Sequence, residues 1–487
     1  MKSPPSKLQL IPTIFRTELI SEAKASFRLA IPSVASQLTG IGVSTVDALV
    51  MGLLGNQNLA AGALGGNIFS FLVVTSIATL SSVGVLTAQA FGAGQTDNIG
   101  NSTRQGILLV AALSFPAMVL IWNSDLILLI LGQEDGTILL VKSYLQAIVW
   151  GFPAALGFAV LTDFACAVNR PQAITVISVI GLLFNTFANY LLAFGKFGFP
   201  ALGIAGIGWA STLSFWFNFA IAICWLTFHP NFREYKLFQN LFCLDQVLLV
   251  EILVVGWPTG IQLAADMGMY TVVALLMGYL GTESLAAHRI AMEVAMWAIM
   301  ISSGISYATT MRVGQRVGQN AHSSARRATS FDIFLVTTLM SIIAVVCWWF
   351  AEPIATIFLN PDSSNNVEII QLTISFINMG ALYAIVFGVE FIALGALLGL
   401  KDTRVPMLIN IGACWGVGLG GGYLLAFTLG WGGIGLWCSL VLGIGVAALL
   451  LTWRFYHLIG VMNDDQSASL SEIITPETSQ ATTASGG

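Results

Sequence analysis

The chain has 487 residues, of which 56% are hydrophobic and only 9% charged, against about 25% charged in a soluble domain, so most of it is built to lie in lipid. The net charge of −5 is small and dispersed, and no basic cluster with interleaved aromatics is present, which excludes nucleic acid as a partner. Six cysteines (Cys166, Cys224, Cys243, Cys347, Cys414, Cys438) form no CxxC pair and stand mostly in apolar runs, so they read as small packing residues.

Residues 1–27 have no compact apolar core followed by a small-residue cleavage site, and read as a cytoplasmic arm. A helix needs roughly 20 apolar residues to cross a bilayer. Stretches of that length predict about twelve transmembrane helices, near 28–53, 60–91, 103–124, 138–165, 172–196, 201–228, 247–279, 285–311, 328–351, 369–399, 405–429 and 432–456. The fold class is therefore an all-α integral membrane protein, with six spans in residues 28–228 and six in 247–457. Between them, HPNFREYKLFQNLFCLDQ at 229–246 is a cytoplasmic linker expected to include an interfacial amphipathic helix. Residues 458–487, rich in Ser and Thr, are expected to be a disordered cytoplasmic tail.

Placing the N-terminus inside puts sixteen of the nineteen Lys and Arg residues on the cytoplasmic side, leaving Lys142, Lys196 and Arg289 for the membrane or the far side. This positive-inside bias, with an even span count, predicts a multi-pass protein of the plasma membrane, or of the inner membrane in a bacterium, with both termini in the cytoplasm.

Residues 45–61 (TVDALVMGLLGNQNLAA) and 271–287 (TVVALLMGYLGTESLAA) share eleven of seventeen residues at an offset of 226. Pro32 and Pro258, Gln89 and Gln315, and Gly92 and Gly318 match at the same offset, and YLLAF recurs at 190–194 and 423–427. Two related lobes of six spans follow, and because six is even they enter the membrane in the same direction. The repeat also shows that packing does not require the acid at Asp47, since its mate is Val273.

A charge at mid-bilayer costs about 2.5–3.5 kcal/mol on insertion scales, so intramembrane acids are candidates for function. Asp47 lies deep in span one and Asp266 deep in span seven, two turns before Val273 and on its face. Glu390 lies deep in span ten, and Asp163 and Glu293 are weaker candidates. Asn185 and Asn189, four apart on one face of span five, suit either hydrogen bonding to a carboxylate or tying two helices together. Enzymatic readings fail: the GxGxxG match in GVGLGGG at 416–422 lies inside a span with no preceding strand, and His229, His288, His322 and His457 form no metal spacing.

FRLAIPSVASQ, VDALVMGLLG with the LAA that follows, FNTFANYLLAFGKFG, LAAHRIAMEVA, RVGQRVGQ and GALLGLKDTRVP together resemble the multidrug and toxic compound extrusion (MATE) family, in its NorM-like branch, over about residues 25–457. The resemblance implies two pseudo-symmetric six-helix lobes. It implies that Asp47 matches the first-lobe acid used in coupling, that Asn185 and Asn189 match the asparagines approaching it, and that Asp266 stands where many members carry a glutamate associated with cation binding. In span ten, where NorM-like members often carry an aspartate, this chain has Phe387 or Gly388, with Glu390 two or three residues later. That advance rotates a side chain by about 200–300°, so Glu390 is expected to substitute only where the helix is irregular. Leu398 also departs, since many relatives have an arginine there.

The expected function is a multidrug efflux secondary transporter, not an enzyme, exporting organic cations in exchange for Na⁺ or H⁺ by alternating access. Na⁺ would be held at Asp47 or Asp266, with no other cofactor. The partners are small-molecule organic cations and membrane lipids, and the chain is read as a monomer. A flippase for lipid-linked oligosaccharides or another amphiphile is the alternative, and the excess of intramembrane acids over bases disfavours it.

Overall fold

The computed structural model describes residues 7–130, 132–239, 243–359 and 366–474. The described residues are helical almost throughout and contain no strand, and twelve helical segments are long and apolar enough to cross a membrane, in the order expected. The first half comprises α1 (Lys7–Leu53), α2 (Asn56–Gly92), α3 (Thr96–Trp122), the short α4 (Ser124–Ile130), α5 (Asp135–Ile148), α6 (Phe152–Ala167), α7 (Gln172–Phe194) and α8 (Ile204–Phe228). A 3-10 turn at Val149–Gly151 joins α5 and α6 into one crossing. The second half comprises α9 (Gln246–Leu280), α10 (Thr282–Gly318), α11 (His322–Trp349), the short α12 (Ala351–Phe358), α13 (Val367–Gly399), α14 (Arg404–Ile411), α15 (Gly421–Tyr423) and α16 (Gly432–Ile474). π-helical turns at Gly412–Gly420 and Leu424–Thr428 flank α15 and complete the eleventh crossing.

The internal repeat is also a repeat of packing. In the first lobe α1 lies on α7, α2 on α5 and α6, and α5 on α8. In the second lobe α9 lies on α14, α10 on α13, and α13 on α16, the equivalent pairs. Even the turn between the first two spans recurs: Gly55 (φ 114°) and Gly281 (φ 130°) are repeat mates, both in a conformation that strains L side chains, so both helices stop at the same glycine. Each lobe has its own apolar core, one including Phe69, Leu80 and Phe152, the other Phe376, Tyr383 and Trp437.

With an even number of crossings, the start of α1 and the end of α16 lie at one face of the bundle, called here the terminal face, and the contacts that join the lobes gather toward it. A Cβ on Gly92 would stand 1.9 Å from the Gln315 carbonyl oxygen, and one on Gly318 would stand 2.0 Å from that of Gln89. The ends of α2 and α10 thus cross reciprocally, each glycine seated on the other helix's glutamine. The side chains of those glutamines reach further: Gln89 Nε2 donates to the Gly399 carbonyl (2.9 Å) and Gln315 Nε2 to that of Ala167 (2.7 Å). Nearby, Ser82 Oγ donates to the Ile252 carbonyl (2.8 Å), and Gly256 packs on the Thr79 backbone.

Arg312 and Arg316, two of the sixteen basic residues the sequence assigns to the cytoplasmic side, lie within α10, past the predicted end of that span at 311. Arg312 is 3% exposed; its Nη1 donates to both oxygens of Asp332 at 2.9 Å, and its guanidinium also pairs with Glu22 of α1. Arg316 donates to the two oxygens of Glu22 at 2.7 and 2.8 Å. An ion network thus ties α1 to α10 and α11 beside the glycine crossing.

Three boundary expectations change. α1 begins at Lys7, so the arm and the first span are one helix, and residues 1–6 lie outside the described residues. The described part of the linker carries a 3-10 helix at Pro230–Tyr235 and no α-helix; residues 240–242 lie outside the described residues. Phe232 and Tyr235 are buried against Phe164 at the end of α6, and Asn101 of α3 donates to Asp245, so the linker is pinned beneath the first lobe. The expected tail is helical through Ile474, because Leu458, Ile459 and Met462 continue the packing stripe begun by Leu451 and Phe455, while 475–487 lie outside the described residues.

Candidate functional site

Asp47 sits about a turn and a half from the end of α1 and is 8% exposed. Four-residue spacing sets Asn185 and Asn189 on one face of α7, and both are fully buried facing it. Asn189 Nδ2 donates to Asp47 Oδ1 (2.6 Å) and to Asn185 Oδ1 (3.0 Å). Ser211 of α8 donates to Asp47 Oδ2 (2.9 Å) and accepts from Asn185 Nδ2 (3.3 Å). The four side chains form a closed ring across three helices, which serves both sequence alternatives at once, since the asparagines hold the carboxylate and tie helices together. Among the described residues no cation pairs with Asp47, and Asn189 Oδ1 is buried without a hydrogen-bond partner. A carboxylate, amide oxygens and a hydroxyl are the hard oxygen donors that Na⁺ takes, and the unpartnered amide oxygen is the kind of group such an ion satisfies. Nothing in the sequence singled out Ser211, because a lone serine in an apolar span carries no periodic signal.

The second lobe builds a looser counterpart. Asp266 on α9 is half-buried and accepts from Asn410 Nδ2 at 3.4 Å to each oxygen; Asn410 is 1% exposed and also accepts from Cys414 Sγ (2.9 Å). Beside them the hydroxyls of Tyr270 and Tyr383 meet at 2.7 Å. Glu390 is 3% exposed in the same interior, within electrostatic reach of Asp266, Tyr270 and Tyr383. The expectation that Glu390 needs an irregular helix is corrected: α13 is regular there, and positions 383, 387 and 390 share a face because i, i+4 and i+7 do. Phe387, in the place of the missing aspartate, stacks on Tyr383 and Phe391. Glu293, by contrast, is exposed on α10. No group of three or more His, Cys, Asp or Glu suited to a metal occurs among the described residues.

Between the Asp47 ring and the terminal face, α1, α2, α6, α7 and α8 line an open cavity of about 390 Å³, within the size range of small-molecule pockets. Its wall runs along α1 from Pro32 to Ser44, one turn short of Asp47, and ends at Asp163 and Cys166 of α6. One second-lobe residue, Tyr307, completes it.

The family model described as MatE matches residues 32–191 and 258–424, one segment in each lobe. The chain is 36% identical over 439 residues to the "Probable multidrug resistance protein NorM" of Synechocystis sp., covering 90% of this chain and 95% of that one. It is 35% identical to the protein of the same description from Pseudomonas aeruginosa, covering 92% and 93% respectively. Among solved structures, "Crystal structure of MATE in the bent conformation" superposes with a TM-score of 0.84 at 17% identity, covering 92% of this chain and 97% of that one. "Outward-facing conformation of a multidrug resistance MATE family transporter of the MOP superfamily" gives 0.82 at 18%, covering 91% and 97%. At those identities the superpositions speak for the fold.

Proposed function

Because the chain belongs to the MatE family, whose members are transporters and not enzymes, we propose that it is a multidrug efflux transporter of the plasma membrane, exporting organic cations in exchange for Na⁺ or H⁺ by alternating access. The observation that supports the coupling is the buried ring of Asp47, Asn185, Asn189 and Ser211, in which, among the described residues, no cation neutralises the carboxylate and nothing satisfies one amide oxygen. An ion arriving at Asp47 offsets a charge that is costly in lipid surroundings, and it draws α1, α7 and α8 onto one ligand. An organic cation elsewhere in the same lobe competes with that arrangement. Exchange follows if each ligand favours a different packing of the lobes. Asp266, Asn410 and Glu390 form a second ion-responsive cluster in the other lobe. The terminal face is cytoplasmic in this reading, supported by the basic residues that collect there. One chain carries both lobes and acts alone, with lipid as its surroundings and no bound cofactor.

The cavity wall contains an acid and no Lys, Arg or His, which suits cationic cargo and opposes a flippase for phosphate-linked amphiphiles. Ethidium uptake into everted vesicles, with Na⁺ and H⁺ gradients imposed separately, tests the proposal. Accumulation should follow at least one gradient and fall by about tenfold or more in Asp47→Asn, which keeps the size and hydrogen bonding but not the charge. Uptake in wild type that ignores both gradients would sink the exchange mechanism.

A further inference from the structure

Asp163 lies one turn from the end of α6, is 5% exposed, and borders the first-lobe cavity. Its Oδ1 accepts from the hydroxyl of Tyr307 at 2.5 Å, and Tyr307 belongs to α10 of the other lobe. Among the described residues Oδ2 accepts no hydrogen bond and no Lys, Arg or His pairs with the carboxylate. The remainder of the wall is neutral: Phe158 and Phe215 offer apolar, quadrupolar surface, and Ser36, Thr162 and Ser178 offer hydroxyls. A carboxylate in such a place, held by one neutral donor, is left with a charge that a seated cation would offset. The aromatic walls suit the apolar body of an organic cation.

We propose that Asp163 is the anionic anchor for an organic cation in the first-lobe cavity, and that the cation, by taking the carboxylate from Tyr307, frees a contact that holds the two lobes together. This rests on the transport reading above but makes a separate claim, because it concerns where cargo binds and not which gradient drives it. The junction is well placed to sense cargo. A Cβ on Gly84 of α2 would stand 3.0 Å from the Asp163 side chain and 2.6 Å from that of Met311 on α10, so Asp163 lies at the seam between lobes. Tyr307 also packs against Cys166 and Ala167 of α6, so losing the carboxylate loosens its hold there and does not abolish it, and α10 is the helix whose C-terminal end carries the Gly318 crossing.

The test is equilibrium ethidium binding to the purified full chain in lipid nanodiscs, with no ion gradient, so that a failure of coupling cannot imitate a failure of binding. Wild type should bind saturably. Asp163→Asn should weaken binding by about tenfold or more, while Asp163→Glu, which restores the charge, should bind within about threefold of wild type. Tyr307→Phe should bind as well as wild type or better, because the competing hydroxyl is gone. Fluorescent side chains introduced at the exposed Asn98 and Asn320, one on each lobe at the terminal face, should separate when ethidium is added to wild type and should already be separated without it in Tyr307→Phe. Undiminished ethidium binding in Asp163→Asn, no saturable binding in wild type, or an inter-lobe distance indifferent to both ethidium and Tyr307→Phe would each overturn the proposal. Binding that behaves as expected in a protein whose transport follows no gradient would instead overturn the exchange mechanism alone.

Discussion

Asp47 and Val273 hold the same place in the two copies of the repeat, and their surroundings explain why they cannot trade roles. Val273 is 1% exposed within the second-lobe core, between Met269 and Met277. An aspartate there would bury a charge with no donor to meet it, at a cost of several kcal/mol. The amide that serves the second lobe, Asn410, is turned to Asp266 instead. The exchange Asp47→Val with Val273→Asp should therefore abolish gradient-driven ethidium efflux and lower the yield of folded protein; near wild-type efflux would show the two positions to be interchangeable. Ser211→Ala makes a finer change. It removes one hydrogen bond to a charged group, a contribution of about 1.5–3 kcal/mol, and leaves Asn185 Nδ2 without its acceptor. The concentration of coupling ion needed for half-maximal efflux should rise by about tenfold with little loss of protein, and an unchanged ion dependence would remove Ser211 from the proposed coupling site.

At the scale of elements, the crossing of α2 and α10 admits no side chain on either glycine. A Cβ at Gly92 or Gly318 would fall inside the van der Waals radius of a backbone oxygen, which cannot move aside as a flexible side chain can. Gly318→Leu should thus hold the lobes apart at the terminal face and arrest transport while ethidium binding persists, a separation readable in the Asn98–Asn320 pair; full transport by that variant would show the seam to be dispensable. Much of this architecture was legible in the sequence, because apolar length fixes the spans and the offset of 226 fixes which helices are equivalent. Asp47, Asn185 and Asn189 came within reach because a polar residue in an apolar run is conspicuous and four-residue spacing names a helix face. Asn410 escaped because alignment of the YLLAF repeats pairs Asn185 and Asn189 with Gly418 and Gly422, whereas the amide actually used lies two turns earlier. Asp163 was undervalued because its partner is Tyr307, 144 residues away, and nothing local marks the two as neighbours. The helical tail and the Arg312 network were hidden for a related reason: polar residues read as solvated until the structure supplies the partners that bury them.

In the whole molecule, the closure of the terminal face combines the glycine crossing with the ion network. Arg312 and Asp332 are 3% and 0% exposed, so removing one partner leaves an uncompensated buried charge, which typically costs about 3–5 kcal/mol. Arg312→Ala should accordingly lower the thermal unfolding temperature in detergent by several degrees, and the double variant Arg312→Leu with Asp332→Leu should recover most of the loss. If the single variant unfolds at the wild-type temperature, the network adds nothing to stability. The displacement of the second acid–amide pair has a different consequence, which is electrical. Asp266 precedes the mate of Asp47 by seven residues, about 10 Å of helix, or about a third of a 30 Å hydrocarbon core. A full membrane potential of 100 mV is worth about 2.3 kcal/mol per elementary charge. A monovalent cation entering from the face opposite the termini therefore gains about 0.8 kcal/mol more at Asp266 than at Asp47 when the terminal face is negative, about a fourfold difference in occupancy. Two sites alike in chemistry would thus divide their sensitivity to voltage by depth alone, so that a polarised membrane loads the second lobe first and a depolarised one leaves the first lobe to govern exchange.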